Sequence, residues 1–206
     1  MATDAPMSVR AKAGARWRVA AWALCALLAF GVAQPAAQPK APRALHVEAA
    51  FLVNFLRYTD WPRERLPDPA TPFRIAVVGN DDAADTVRAV ANAAGLVRGR
   101  RIEVERVAMP DGNARPQIER LRDCHLVYLR DVPNDTQREV LRGVTGAPVL
   151  TVGDGRDFAQ RGGMLGIVRA DARLAIEANP RAIEANGLLV SAKVLKLARI
   201  RSGGIR

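Results

Sequence analysis

The chain's imidazoles and thiols lack the spacing of a metal site. Across 206 residues the only histidines are His46 and His125, and neither has a Cys or a carboxylate at zinc-ligand spacing. After residue 33 the only serines are Ser191 and Ser202, outside any Gly-x-Ser-x-Gly or Ser-x-x-Lys motif. Carboxylates are numerous, but nothing marks a catalytic pair. The residues therefore predict no metal, no cofactor and no enzymatic activity.

Two glycine-rich segments could mark a ligand site. Residues 153–155 read Gly-Asp-Gly and residues 162–163 read Gly-Gly, but neither has the Lys-Ser/Thr of a phosphate loop, so we interpret both as turns that need positive φ. Asp154 follows a predicted parallel strand, at the end where open α/β sheets bind ligands. Together with Gly79 and Asp81 after another strand, it forms a candidate small-molecule site.

The cysteine count bears on redox chemistry. Cys25 lies in an apolar N-terminal run, which leaves Cys124 without a partner in the rest of the chain. Residues 124–129 read as a buried strand, so Cys124 is expected to be a small buried hydrophobe, and the alternative is a reactive or intermolecular thiol. No disulfide is expected.

The N-terminus has the order of a secretory signal peptide. Four basic residues precede an apolar run at 19–30, and small residues at 31–33 then lead into Pro- and Gln-rich chain. We predict a signal peptide over residues 1–33 and a periplasmic product. An uncleaved anchor is the alternative, but a span needs roughly 20 apolar residues. No later segment is long enough to insert stably, and Cys25 lacks a lipoprotein pattern.

The chain is basic, with a formal net charge of +10. Four of the 31 basic and one of the 21 acidic residues precede residue 34, which leaves 27 and 20 and a net charge of +7. Such a balance suits an anionic partner or membrane surface, but a general enrichment in Arg and Ala along the chain is the preferred explanation. Nucleic acid is not expected, because aromatic residues are too scattered for a stacking platform.

Strands and helices alternate along residues 44–206, after a predicted disordered linker at 34–43. This pattern predicts an α/β fold, a single three-layer sandwich whose mostly parallel sheet has helices on both faces. Residues 164–168 and 174–178 are predicted to form a C-terminal antiparallel hairpin with a longer loop at the edge of the sheet. Residues 190–200 are basic and amphipathic, and we predict a helix that packs its apolar side on the sheet. A position on anionic lipid is the alternative.

Six stretches share their order and spacing with one known family. They are residues 48–55 with Trp61-Pro62, residues 75–79, Cys124-His125, residues 150–154 with Phe158 and residues 162–164, residues 174–179, and residues 187–198. The set resembles the YfiR family of small periplasmic proteins. The resemblance implies a homodimer that represses a membrane-bound diguanylate cyclase by binding its periplasmic sensor domain, which lowers cyclic di-GMP and biofilm formation.

The resemblance also implies a docking face on the final hairpin and the segments after it. The matching positions are Leu165, Glu177 and Ile183, which we interpret as an exposed apolar pair beside an orienting carboxylate. The alternative is that the two apolar residues belong to the core. Some relatives carry cysteines where this chain has Ala159 and Gly166. The cysteine that the resemblance implies as a disulfide partner of Cys124 is also absent, and Asp85 lies near its place. Redox control by disulfides is therefore not expected.

Overall fold

The fold is taken from a computed structural model that describes residues 41–79, 81–110, 112–170, 173–201 and 203. The predicted signal peptide lies outside the described residues, as do residues 34–40 of the predicted linker. Helix α1 (Ala41–Arg57) includes the last three residues of the predicted linker, residues 41–43. Its apolar positions Leu45, Leu52 and Leu56 are all buried, as their helical spacing requires.

A mostly parallel sheet forms the centre of the described residues, and the predicted α/β class is confirmed. Its strands are β2 (Phe73–Gly79), β3 (Ile102–Val107), β4 (Leu126–Arg130), β5 (Leu150–Gly153), β6 (Leu165–Ala170), β7 (Arg173–Ala178) and β9 (Ala198–Ile200). They are ordered β3-β2-β4-β5-β6-β7-β9, and only the β6–β7 pairing is antiparallel. A separate antiparallel pair joins β1 (Thr59–Asp60) to β8 (Leu189–Val190).

Helices cover both faces of this sheet. The other α-helices of the described residues are α2 (Asp81–Ala94), α3 (Arg115–Arg122), α4 (Asn134–Val144), α5 (Pro180–Ala185) and α6 (Ala192–Leu197). One core lies between α1, α2, α5 and the sheet, and contains Ile75 and Tyr128. The second lies under α3 and α4 and contains Ala76 and Val127. Adjacent strand residues thus enter opposite cores, which explains why these strands are apolar throughout rather than alternating.

The C-terminal region differs from the prediction. Residues 190–200 do not form one helix: α6 ends at Leu197, and β9 pairs in parallel with β7, where Arg199 lies opposite Glu177. The amide of Arg201 donates to the carbonyl of Ala178 at 2.7 Å. This long-range pairing outweighs a local helical pattern. Among the strands that the structure describes, β9 is consequently the edge of the sheet, and the β6–β7 hairpin lies one strand inside it.

Two element boundaries also differ from the prediction. The register of β6 and β7 extends to Ala170 opposite Arg173, so two residues separate the strands instead of the predicted longer loop. The apolar residues of segment 44–61 have helical spacing, which predicts a helix that continues up to Pro62. Helix α1 instead ends at Arg57, because Thr59 pairs with Val190 of β8.

The glycines at 153 and 163 allow an aromatic ring to approach, which the turn interpretation missed. A Cβ atom on either one would overlap the ring of Phe158, which is completely buried. Neither has positive φ, whereas Gly162 does, at 99°. The loop after β5 is therefore fastened to the sheet by Phe158, and this fixes the position of Asp154 at the start of that loop.

Candidate functional site

The predicted ligand residues Gly79 and Asp154 lie at the carboxyl ends of parallel strands, near where the strand order reverses. From β2 the chain passes to β3 on one side and then returns to β4 on the other, which is the arrangement that creates a crevice in doubly wound sheets. Gly79 has φ of 111°, and a Cβ atom there would collide with the carbonyl of Arg130. Gly79 therefore allows β2 and β4 to approach each other closely.

Asp154 is held by the neighbouring strand end. Its Oδ2 accepts a hydrogen bond from the backbone N–H of Asp131 at 3.2 Å. Burial raises the pKa of Asp154 above its ordinary value, while the Asp131 N–H opposes that rise. The structure thus brings Asp154 to the end of β4. Asp81 begins helix α2, and its side chain lies outside the described part of the chain.

Sequence reasoning missed a buried charged network beside this position. The carboxylate of Glu48 on α1 is 5% exposed, and it accepts a hydrogen bond from the hydroxyl of Tyr128 at 2.9 Å. The Arg130 guanidinium binds the same oxygen, and its Nε lies 3.4 Å from Asp131 Oδ2. Burial raises the pKa of Tyr128 well above its usual range. Glu48, Tyr128, Arg130, Asp131 and Asp154 are called the strand-end cluster below.

The sequence did contain a signal for this network. Glu48 falls within the apolar stripe of α1, three residues after Leu45 and one before Ala49. A carboxylate in a buried stripe needs a partner of opposite charge or hydrogen-bond donors. Tyr128 and Arg130 are two apart on β4 and therefore project from the same face of the sheet, toward α1.

The predicted docking residues are buried. Leu165 is completely inaccessible and Ile183 is 3% exposed. The expectation that they form an exposed apolar pair is therefore wrong, and both belong to the core. Leu165 pairs with Ala178 across the hairpin. Ile183 belongs to α5, which follows that hairpin and packs in the same core.

Glu177 is also buried, at 5% exposure, but it is held by a cation. The Nε and Nη2 atoms of Arg201 both donate to its Oε1, at 3.0 and 2.7 Å. Its other oxygen is buried without a hydrogen-bond partner among the described residues. The Glu177–Arg201 pair therefore ties β7 to the segment that follows β9.

Cys124 is enclosed between β4 and its neighbours. The side chain is 1% exposed, and the Sγ lies 3.3 Å from Glu105 Oε1 and 3.4 Å from the Arg120 carbonyl. Burial and the Glu105 carboxylate raise the pKa of the thiol to about 12. Of the two interpretations offered by the sequence, the geometry favours the buried thiol.

We expect Cys124 to resist thiol reagents in the folded protein. A pKa of about 12 leaves a thiolate fraction of only ~10⁻⁴ at pH 8, and the sulfur is inaccessible. Labelling with a chromogenic disulfide at pH 8 should be at least about a hundredfold slower in the native state than in guanidinium chloride. Equal rates in the two conditions would contradict this burial.

His125 is a buried, neutral imidazole. Its Nδ1 accepts from the backbone N–H of Arg74 at 3.0 Å, which makes Nε2 the donor to the Arg65 carbonyl at 3.1 Å. The ring packs edge-on against Trp61 and Phe73. Burial lowers the pKa of His125 to about 4. A proton added at Nδ1 would face the N–H of Arg74, so the neutral ring is favoured. We therefore interpret His125 as a structural residue.

This imidazole predicts a pH dependence of stability. Because the native pKa is below that of the unfolded chain, the unfolded state binds the extra proton, and stability falls as the pH drops from about 6.5 toward 4. The contribution is about 2–3 kcal/mol. Urea unfolding at pH 7 and pH 4.5 should show it in the wild type and lose it in His125→Asn. A native His125 pKa above 6 by NMR would refute the prediction.

The described residues contain neither a cluster of metal ligands nor a membrane-spanning helix. Among them, no group of three or more His, Cys, Asp or Glu side chains could hold a metal ion. No helix within the same residues has both the length and the apolar character needed to cross a membrane.

The fold and this site define a small doubly wound α/β protein whose polar groups at the strand ends bind one another. A model of the YfiR/HmsC-like family matches residues 45–199, and the chain belongs to that family. It is also similar to a crystal structure of a conserved domain protein from Vibrio cholerae O1 biovar El Tor strain N16961, at 12% identity and a TM-score of 0.46 over 76% of this chain. The chain spans 59% of the length of that protein.

Proposed function

We propose that this protein is a periplasmic regulator that represses an inner-membrane diguanylate cyclase by binding the cyclase's periplasmic sensor domain. Membership of the YfiR/HmsC-like family over residues 45–199 is the observation that carries the proposal. Repression lowers cyclic di-GMP in the cytoplasm and with it biofilm formation. The predicted signal peptide over residues 1–33 supplies the export that this function needs, and the active form is proposed to be a homodimer.

The proposed docking region consists of the β6–β7 hairpin, near the end of the sheet, and helix α5, which follows it. Leu165 and Ile183 act there as buried supports that set the position of the hairpin and of α5. Glu177 acts in the same way through Arg201. Contact with the partner then falls to exposed neighbours such as Leu189, which is 68% exposed. Large exposed apolar side chains are typical anchors in protein interfaces.

Direct binding tests this function. The exported form of the protein would be immobilised, and the purified periplasmic domains of the inner-membrane diguanylate cyclases encoded in the same genome passed over it. One of them should bind, and the isolated cytoplasmic cyclase domain serves as the control that should not. If none binds, including in the presence of detergent-solubilised full-length cyclase, the proposed mechanism is wrong.

A second candidate function is small-molecule binding at the strand ends, near Gly79, Asp81 and Asp154. It is favoured by the position of Asp154, half-buried at the end of β5 with a raised pKa beside the exposed Asp131. A ligand there could act by itself or tune repression. At about 100 times its dissociation constant, a ligand should add roughly 2.7 kcal/mol to stability. A thermal-shift screen should therefore find a compound that stabilises the wild type but not Asp154→Asn. If no compound behaves in this way, small-molecule binding at the strand ends is wrong.

A further inference from the structure

The outer edge of β9 is open within the described residues. The strand order ends with β9, and the amide of Arg201 points inward to the Ala178 carbonyl. Because backbone groups alternate in direction along a strand, the N–H and C=O of Ile200 point outward. The side chain of Ile200 is 54% exposed, and that of Leu197 just before the strand is 78% exposed. This edge therefore offers backbone hydrogen bonds beside apolar surface.

A basic pocket lies against the same strand. Its volume is about 170 Å³, and its charged lining residues are Arg156, Asp157, Arg169, Glu177, Arg199 and Arg201. Four guanidinium groups face two carboxylates, which is an excess of two positive charges. Arg201 is bound to Glu177, whereas no ion pair within the described part of the chain holds the other three guanidinium groups. We call this the arginine pocket.

The arginine pocket and the apolar side chains lie on opposite faces of β9. Arg199 lies opposite the buried Glu177 in the β7–β9 register, and Arg201 projects to the same face. Ala198 and Ile200 project to the other face. A strand added along this edge would therefore have acidic side chains on one face, next to the arginines, and apolar side chains on the other. Charge complementarity thus specifies an alternating acidic and apolar segment.

A second copy of this chain does not meet that requirement. Pairing β9 with β9 would bring Arg199 and Arg201 of one copy beside those of the other. Like charges on neighbouring strands destabilise pairing, and basic residues on an edge strand discourage self-association. The occupant must differ in charge from β9 itself.

We propose that β9 is the docking edge for an extended, acidic segment of the protein's partner, which adds a strand to the sheet and places carboxylates in the arginine pocket. This inference rests on the proposed function for the partner's identity, but its chemistry can be tested alone. Main-chain hydrogen bonds to Ile200 supply part of the affinity, and the arginines supply selectivity for acidic sequences.

The first test uses a short blocked peptide in which Glu alternates with Val, and a matched peptide with Lys in place of Glu. The exported protein should bind the Glu peptide only, more weakly at higher salt. The amide of Ile200 should become protected from hydrogen exchange. Arg199→Glu should weaken binding by about tenfold or more. Arg115→Glu, an exposed change of equal charge on α3, is the matched control and should have little effect.

Absence of binding, equal loss in both variants, or binding without protection of Ile200 would overturn the inference. The second test measures cyclic di-GMP in cells that carry either variant at wild-type level. Arg199→Glu should release repression, and Arg115→Glu should not. If deleting the gene raises cyclic di-GMP but Arg199→Glu represses normally, the docking edge is wrong and the function stands. If deletion has no effect, the function fails, and the peptide result alone decides the binding chemistry of β9.

Discussion

Replacing Glu48 by alanine is expected to lower the free energy of unfolding by about 3–5 kcal/mol. The carboxylate is 5% exposed and is the shared acceptor for Tyr128 and Arg130. Its removal leaves the completely buried Tyr128 hydroxyl without that acceptor, and leaves an arginine side chain that is only 17% exposed without its buried anion. Removing one partner of a buried pair costs more than the pair contributes, because the other charge stays buried.

Urea unfolding followed by circular dichroism would measure this loss. Glu48→Gln keeps an acceptor for the hydroxyl, so its loss should be smaller. Glu139→Ala, an exposed change on α4, is the control and should stay within about 0.5 kcal/mol of the wild type. A loss below about 1 kcal/mol for Glu48→Ala would mean that the strand-end cluster contributes little to the fold.

Replacing Arg201 by alanine should have the second-largest effect, about 3 kcal/mol. Glu177 would then be left buried without either of its hydrogen bonds from Arg201. Glu177→Ala should cost less, because the Arg201 side chain is 36% exposed and water can solvate it. The order of the two losses is therefore the prediction.

A double-mutant cycle by urea unfolding would test this order. The combined variant should be less destabilised than the sum of the two single variants, because both remove one interaction. If Glu177→Ala proved more destabilising than Arg201→Ala, Glu177 would have to contact something besides Arg201. That outcome would undermine its assignment as a buried support of the hairpin.

The central strands could be predicted because their sequences leave little choice. Residues 75–78 and 126–129 are apolar without interruption and are bounded by turn residues, as strands buried on both faces are. The C-terminal segment could not be resolved in this way. Val194 and Leu197 have helical spacing, and only the distant pairing with β7 converts Ala198–Ile200 into a strand. The two-residue strands β1 and β8 leave no periodic signal at all.

The candidate site was less predictable, for a related reason. In a strand that is buried on both faces, the sequence does not say which apolar residues reach the surface, so Leu165 could be read as exposed. The partner of Glu177 comes from a residue 24 positions later, beyond any local pattern. Glu48 could have been found, because a carboxylate in an apolar helical stripe requires an explanation. Its partners depended on the packing of α1 over β4.

The level of cyclic di-GMP in cells tests the central claim most directly. It should be measured in the wild type, after deletion of the gene, and after restoration with and without residues 1–33. The proposed function predicts a rise on deletion that only the form with its leader reverses. An unchanged level on deletion, or full reversal by the form that lacks the leader, would contradict repression from the periplasm.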